Sequence, residues 1–174
     1  MANIINEKGI NFAVYYAGED QLGIAEGEFP SLEAMTSEVK GAGIAGVADT
    51  VVLGHFNSMT VTLKWRNTTD ALVKLAAHKA HELDLYSAQQ DYDAGSGEYR
   101  ERSVHVFLRA IPKNTTMGNL VVGDSLDAET ELEVLYLKLT VDGKERIELD
   151  KFNYIYKVDG VDYLAGVRSA LGKQ

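Results

Sequence analysis

The sequence predicts a mainly β domain with one or two short helices, an α+β fold built as a single domain over residues 1–174. Three observations carry that expectation: apolar residues alternate with period two in several segments, tight glycine turns separate those segments, and helical periodicity is confined to short stretches. The 174 residues are enough to bury a core without covalent staples. There is no cysteine, so disulfide frameworks, thiolate catalysis and thiolate zinc sites are excluded.

Along the chain, residues 1–8 (MANIINEK) lack the basic and apolar regions of a signal peptide. No apolar run nears the roughly 18 residues of a membrane span, so no membrane anchoring is expected. The segment Lys40–Val47 (KGAGIAGV) holds a literal G-x-G-x-x-G in Gly41, Gly43 and Gly46. A dinucleotide site would need a buried strand before it, a helix after it and an acid about 20 residues on. Here SLEAMTSEVK precedes it, the β-branched VADTVVLG follows, and LKWR stands where the acid should be. The glycines are read instead as a loop that takes positive φ or lets a neighbouring backbone approach.

In Ser58–Trp65 (SMTVTLKW), Met59, Val61, Leu63 and Trp65 share one face, opposite Thr60, Thr62 and Lys64. An amphipathic helix is expected over Asp70–Leu83, capped by Thr69 or Asp70. Leu72, Leu75, Ala76, Lys79, Ala80 and Leu83 form one stripe of it, and Lys74, His78 and His81 a solvated stripe opposite. A long hairpin follows, Leu83–Tyr92 and Tyr99–Ile111 around Ala94-Gly95-Ser96-Gly97. Its arms are polar on both faces near the turn, around Gln89, Asp91, Tyr92, Tyr99 and Glu101, so they project into solvent or are completed by another chain. Residues 113–130 (KNTTMGNLVVGDSLDAET) read as a long acidic loop carrying Asp124, Asp127 and Glu129.

In Val134–Val141 (VLYLKLTV), Leu135, Leu137 and Leu139 oppose Tyr136, Lys138 and Thr140. Asp142-Gly143 marks a tight turn into Lys144–Leu149. The apolar parity then changes, which an extra residue at Asp150-Lys151 would explain as a β-bulge. A short helix is expected over Asp162–Leu171, with Gly172 past its end.

The formal net charge of −9 argues against ordinary nucleic-acid binding, which needs lysine and arginine on phosphates. Residues 19–38 hold six acids and no base, and 118–135 five acids and no base, so these are solvated loops or a surface that repels a polyanion. No catalytic, metal or cofactor motif emerges. His78 and His81 lack a third ligand, His55 and His105 have no recognisable carboxylate or serine partner, and Asp91, Asp93, Glu98 and Glu101 cluster at a solvated tip. Two Asn-x-Thr sequons, at Asn67 and Asn114, have no other sign of secretion beside them.

An acidic, cysteine-free, β-rich domain with a projecting hairpin and mobile loops suits a subunit whose sheet is closed by copies of itself. Residues Tyr136–Leu164 (YLKLTVDGKERIELDKFNYIYKVDGVDYL) add an aromatic–basic–Leu-Thr run, an Asp-Gly-Lys-Glu hairpin, and a Lys-Val-Asp-Gly-Val-Asp close. Together with Gly-Ala-Gly-x-x-Gly and Ser58-Met59, this resembles the major tail tube proteins of contractile-tailed phages of the P2 type and related phage-tail-like bacteriocins. The resemblance spans most of the chain; the N-terminus and residues 113–126 share only general character.

The resemblance implies a β-sandwich or half-barrel whose inner sheet is completed by neighbouring subunits into a ring-shaped β-barrel. Six copies would form a ring, and rings would stack into a non-enzymatic hollow tube. That tube would conduct DNA at genome ejection, or penetrate the target envelope inside a contractile sheath. The implied partners are the chain itself, tail sheath, tape-measure, baseplate hub and tail terminator proteins, with double-stranded DNA as non-sticking cargo. The implied place is the virion tail, after assembly in the bacterial host cytoplasm. Gly41, Gly43, Gly46, Asp49, Asp124, Asp127 and Glu129 would then be loop contacts between subunits or rings. Gln89, Asp91, Tyr92, Tyr99 and Glu101 would be intermolecular hairpin residues, and Thr60, Thr62, Lys64, Lys138 and Thr140 channel-lining candidates. The alternatives are a needle tube of a type VI secretion system and, from another class, a small-ligand-binding β-barrel with a closed apolar pocket.

Overall fold

The structure, a computed structural model, describes residues 3–173. Its strands are β1 (Ile4–Tyr16), β2 (Asp20–Leu22), β3 (Glu26–Glu28), β4 (Ala34–Val39), β5 (Ala48–Phe56), β6 (Thr60–Trp65), β7 (His81–Asp93), β8 (Glu98–Thr116), β9 (Ala128–Val141), β10 (Lys144–Asp150), β11 (Ile155–Val158) and β12 (Val161–Asp162). Two short helices, α1 (Asp70–Leu75) and α2 (Ala165–Ala170), complete it. The main antiparallel sheet runs β12-β11-β10-β9-β8-β7-β1-β2, with β6 attached to β9 and β3 to β6; β4 and β5 form a separate hairpin.

β9 shapes the sheet. One of its edges pairs with β8 along nearly its whole length; the other pairs with β6 over residues 128–133 and with β10 over residues 136–141. Between these halves Arg109 pairs with Tyr136 and Ala110 with Val134, which leaves Leu135 as an extra, bulged residue. A bulge reverses which residues face inward. Before it Ala128, Thr130, Leu132 and Val134 are buried; after it Leu137 is. The sheet therefore bends into a half-barrel around one core, which Met59, Val61, Leu63 and Trp65 fill from β6, Leu72 and Leu75 from α1, and Leu83, Leu85, Val106 and Leu108 from β7 and β8. The indole Nε1 of Trp65 donates to Thr130 Oγ1 at 3.1 Å inside that core, so its burial leaves no donor unmet.

Several expectations change. The helix stops at Leu75, although Thr69 caps it as expected, its side chain accepting from the Leu72 N–H. Residues 81–83 belong to β7 instead, and His81 is wholly buried rather than on a solvated stripe. Its ring bonds the Ala77 carbonyl (2.9 Å) and the Tyr16 hydroxyl (3.1 Å), holding the helix end to the sheet. The parity change after Asp150 is a four-residue turn, Lys151–Tyr154, between β10 and β11; the register slip in β10 falls between Glu145 and Ile147. The acidic segment is a loop only over 117–127, since β8 runs on to Thr116 and β9 starts at Ala128. Helix α2 begins at Ala165, with Asp162 ending β12. There Asp162 pairs with Arg168, whose Nη1 also donates to the Tyr154 carbonyl at 2.7 Å, so the chain's end is clipped back onto the β10–β11 turn.

The glycine loop joins β4 to β5. Gly41, Gly43 and Gly46 have φ of +144°, +95° and +138°, and a Cβ on any of them would meet open space. Conformational freedom is what these residues supply within the chain. Close approach occurs instead at Gly54 on β5, φ +66°, where a Cβ would lie 2.6 Å from the buried Leu164 side chain. Replacing Gly54 with alanine is expected to lower the melting temperature by roughly 5 °C or more, because backbone strain and overlap with Leu164 add, while Gly43→Ala, which meets the strain alone, lowers it by roughly half as much. Thermal melts of the two variants followed by circular dichroism check this; equal shifts would remove the packing argument.

Candidate functional site

The β7–β8 hairpin projects beyond the core, and its exposed flank is covered by the chain's own N-terminal strand. β1 pairs with β7 from Ile4 opposite Asp93 to Tyr16 opposite Leu83, making the arm three-stranded. β2 covers the outer edge of β1 only at residues 14–16, and β9 reaches β8 only from Val104. Ser103 is closed by Asp142, which donates its N–H to the Ser103 carbonyl and accepts the Ser103 N–H on Oδ1, both at 2.9 Å, so residues 4–13 of β1 and 98–102 of β8 present backbone edges on opposite sides of one arm. A sheet edge of that kind is a template for another strand.

Of the four acids expected at a solvated tip, Glu98 and Glu101 are exposed but the other two are not. Asp91 and Asp93 are buried and lie beneath arginines: Arg102 Nη2 meets Asp91 Oδ1, and Arg100 Nη2 meets Asp93 Oδ2 at 2.7 Å. Arg102 also donates to Asn6 Oδ1 (2.9 Å), which ties β1 into the same pairing. The Tyr92 and Tyr99 rings sit 5.2 Å apart across the hairpin. Gln89 points to the core side at the base of the arm, beside Val104, and Glu101 lies exposed opposite Gln90. The arginines escaped the sequence reading, although the Ala94–Gly97 turn fixes the register that sets Arg100 opposite Asp91 and Arg102 opposite Gln89.

Two outward polar patches hold the channel candidates, and the bulge at Leu135 separates them. On the first, Thr60, Thr62 and Lys64 pair with Glu133, Glu131 and Glu129 of β9, and Lys64 Nζ bonds Glu26 of β3 at 3.0 Å. On the second, Lys138 meets Glu145 at 3.2 Å, Thr140 pairs with His105, and Arg109 meets Glu82 at 3.0 Å. His105 has a carboxylate partner after all: its Nε2 lies 2.7 Å from Asp84 Oδ1 and its ring stacks on Tyr86 at 4.2 Å. The two residues are 21 apart in sequence and meet only across the ladder. Also on this patch, the Lys157 ammonium holds the Glu148 carboxyl below its usual range, and burial with the Glu148 carboxylate pushes the Tyr136 hydroxyl well up.

The loop candidates do not converge. Asp49 is on β5 opposite Glu38 of β4, a like-charge pair in a hairpin whose apolar residues Met35, Val39, Val51 and Leu53 are exposed. Glu129 is a strand residue facing Lys64. Asp127 takes φ +51° and accepts from the Ser125 hydroxyl, while Asp124 accepts from the Ser125 N–H; both stand at the base of the 117–127 loop. Among the described residues no group of His, Asp and Glu is disposed to hold a metal, and no helix is long and apolar enough to cross a membrane.

The sequence model of the family described as phage tail tube protein FII matches residues 7–172. The chain belongs to that family. This tail tube family member is 28% identical over 164 residues to the tail tube protein of Escherichia phage P2, covering 91% of this chain and 93% of that protein. Its fold is similar to that of a chain in the cryo-EM structure of the PVC extracellular contractile injection system, the sheath/tube terminator in its extended state. That similarity has a TM-score of 0.51 and 14% identity over 75% of this chain and 94% of the other. The tail tube fold is thus mainly β with two short helices, and the chain is a structural tube subunit of the contractile kind.

One side chain secures the geometry on which both patches depend. Glu133, next to the bulge, accepts from Ser58 Oγ (2.5 Å), the Met59 N–H (3.2 Å) and Lys151 Nζ (3.2 Å). Burial works against its charge, but these donors outweigh it and hold the carboxyl below its usual range. A depressed folded-state value stabilises the fold above the unfolded value near 4.5, and that stability is lost as pH falls through the folded value. Glu133→Gln is therefore expected to cost about 2 kcal/mol at pH 7. The gap from the parent should narrow below about pH 4.5. Urea unfolding at pH 7 and at low pH measures both; a gap that does not change with pH would remove the charged role.

Proposed function

We propose that six copies of this chain close into a ring by joining the open edge of β1 in one subunit to the open edge of β8 in the next, and that rings stack into the tail tube. The observation that carries it is the pair of open strand edges on opposite sides of one projecting arm, residues 4–13 and 98–102. A three-stranded arm with an open edge on each side adds head to tail, and closure of such an array into a barrel leaves no edge.

In that ring the patch continuous with the arm, around Lys138 and Thr140, turns to the channel, whereas Thr60, Thr62 and Lys64 lie on the part of the sheet that β3 closes. Lys138 does not make the wall sticky, because Glu145 neutralises it, as Glu82 does Arg109 and Glu148 does Lys157. With a net charge of −9 repeated around the ring, double-stranded DNA or another polyanion meets a wall that offers it no unpaired lysine at these positions. Sheath, terminator, tape-measure and baseplate hub proteins are the partners such a tube requires, and the virion or particle tail is its place, following assembly in the host cytoplasm.

Negative-stain electron microscopy of the purified protein tests the ring, with six-fold rings or hollow tubes expected. The edge is tested by Ile10→Pro. Ile10 falls at a register skip, between Gly9 and Asn11, and has no partner on β7. Proline there removes a backbone donor from β1 at a position that no Cα pair of the β1–β7 register uses. The variant is expected to fold and to form no rings; rings equal to those of the parent would sink the β1 edge as the joint.

A further inference from the structure

The 117–127 loop ends in an exposed apolar tip. Leu120 and Val122 are almost wholly in solvent, with Val121 between them more than half exposed. The base below it is built rather than slack. Asn119 N–H donates to the Leu126 carbonyl (2.7 Å), Leu126 N–H donates to the Arg66 carbonyl (2.7 Å), and Gly118, φ +83°, lies so close to Leu126 that a Cβ would overlap its carbonyl. An exposed apolar knob on a fixed base marks a contact surface.

The same chain carries a socket. Between the strand-like segment Phe29–Leu32 and the core-side face of the sheet lies an open apolar groove of about 260 Å³, its walls including Phe29, Leu32, Val104, Leu139 and Ile147. On the face of the sheet that carries the groove, Arg100 and Arg102 are neutralised by Asp93 and Asp91, which leaves one exposed cation. Lys144, paired with Val141 and through it in line with Val104, is exposed on the same side. The loop brings the opposite sign: Asp124 and Asp127 follow its tip, and residues 117–128 contain no base. Knob and socket stand at different ends of β8, since Val104 and Thr116 are separated by roughly 40 Å of strand.

We infer that the tip Leu120–Val122 of one subunit seats in the Phe29–Leu32 groove of a second copy displaced along the strand direction, so that this contact joins successive rings. The contact presupposes the tube of rings proposed above. It is heterologous, knob to socket, and so propagates along an axis instead of closing on itself.

The absence of cysteine in the parent makes the test direct. The double variant Val121→Cys/Leu32→Cys, assembled and then oxidised, is expected to give a ladder of disulfide-linked multimers. Each single variant should stop at dimers. In parallel, Leu120→Asp/Val122→Asp should keep the parent's circular dichroism and melting temperature, because the tip is exposed. It should form single rings that do not stack, with at least a tenfold loss of tubes counted by electron microscopy. Normal tubes from the aspartate variant, or no ladder from cysteine tubes, would overturn this contact and leave the ring intact. A parent that gives no rings, with a double-cysteine variant that gives no ladder, would overturn the ring and this contact together.

Discussion

The ladder between β8 and β9, and the single extra residue at Leu135 within it, is the constraint on which the rest of the molecule depends. A continuous β9 could have one partner along each edge and one inward face. With Leu135 bulged, its second edge passes from β6 to β10 and its inward face from even to odd residues. The bend gathers β6, α1 and β10 around one core. Backbone bonds hold the place: Val134 N–H donates to the Met59 carbonyl at 2.7 Å and Lys151 N–H to the Leu135 carbonyl at 3.2 Å. Glu133 then ties Ser58, Met59 and Lys151 to the same point. A half-buried carboxylate is costly alone and stabilising when its donors are complete, so the bend is strongest where three segments meet one side chain.

The parts of this fold legible in the sequence are those where one rule acts at a time. Met59 to Trp65 alternate without interruption and are all buried, and Asp142-Gly143 makes the turn its residues require, with φ of +48° and +74°. The misread parts are those where two rules coincide. Lys79, Ala80 and Leu83 continue the helical stripe of Leu72 and Leu75, yet Leu83 reaches the core from β7; local periodicity cannot tell a fourth helical turn from the start of a strand. Glu129, Glu131 and Glu133 made residues 128–133 look like a solvated loop. They are the outward half of an alternation whose inward half, Ala128, Thr130, Leu132 and Val134, is buried. β1 went unnoticed because register skips at Glu7 and Ile10 break its alternation twice.

The hairpin was legible in kind and its surroundings were not. Polarity on both faces offered two readings, arms in solvent or arms completed by another chain; the structure instead lays β1 of the same chain along β7. Arg100 and Arg102 were invisible as a feature until the register placed them over Asp93 and Asp91. The three positive φ values of the glycine loop belong to a hairpin whose like charges at Glu38 and Asp49 and exposed apolar residues make it weak in isolation.

A chain with open sheet edges and an exposed Leu-Val-Val tip runs the risk of uncontrolled aggregation, and its charge supplies the restraint. An excess of nine negative charges makes free subunits repel one another. That repulsion is screened beyond about 8 Å at physiological salt, so it sets how often subunits approach rather than what holds them afterwards. Strand pairing and apolar seating act only at contact, where registers and shapes must match along several residues. Misplaced encounters gain little and meet the full repulsion; a matched edge gains a row of hydrogen bonds at once. In the proposed tube, acidic composition and assembly through β edges therefore act together: the charge keeps disordered contacts from persisting, and the geometry of β1, β8 and the 117–127 loop lets the ordered one persist.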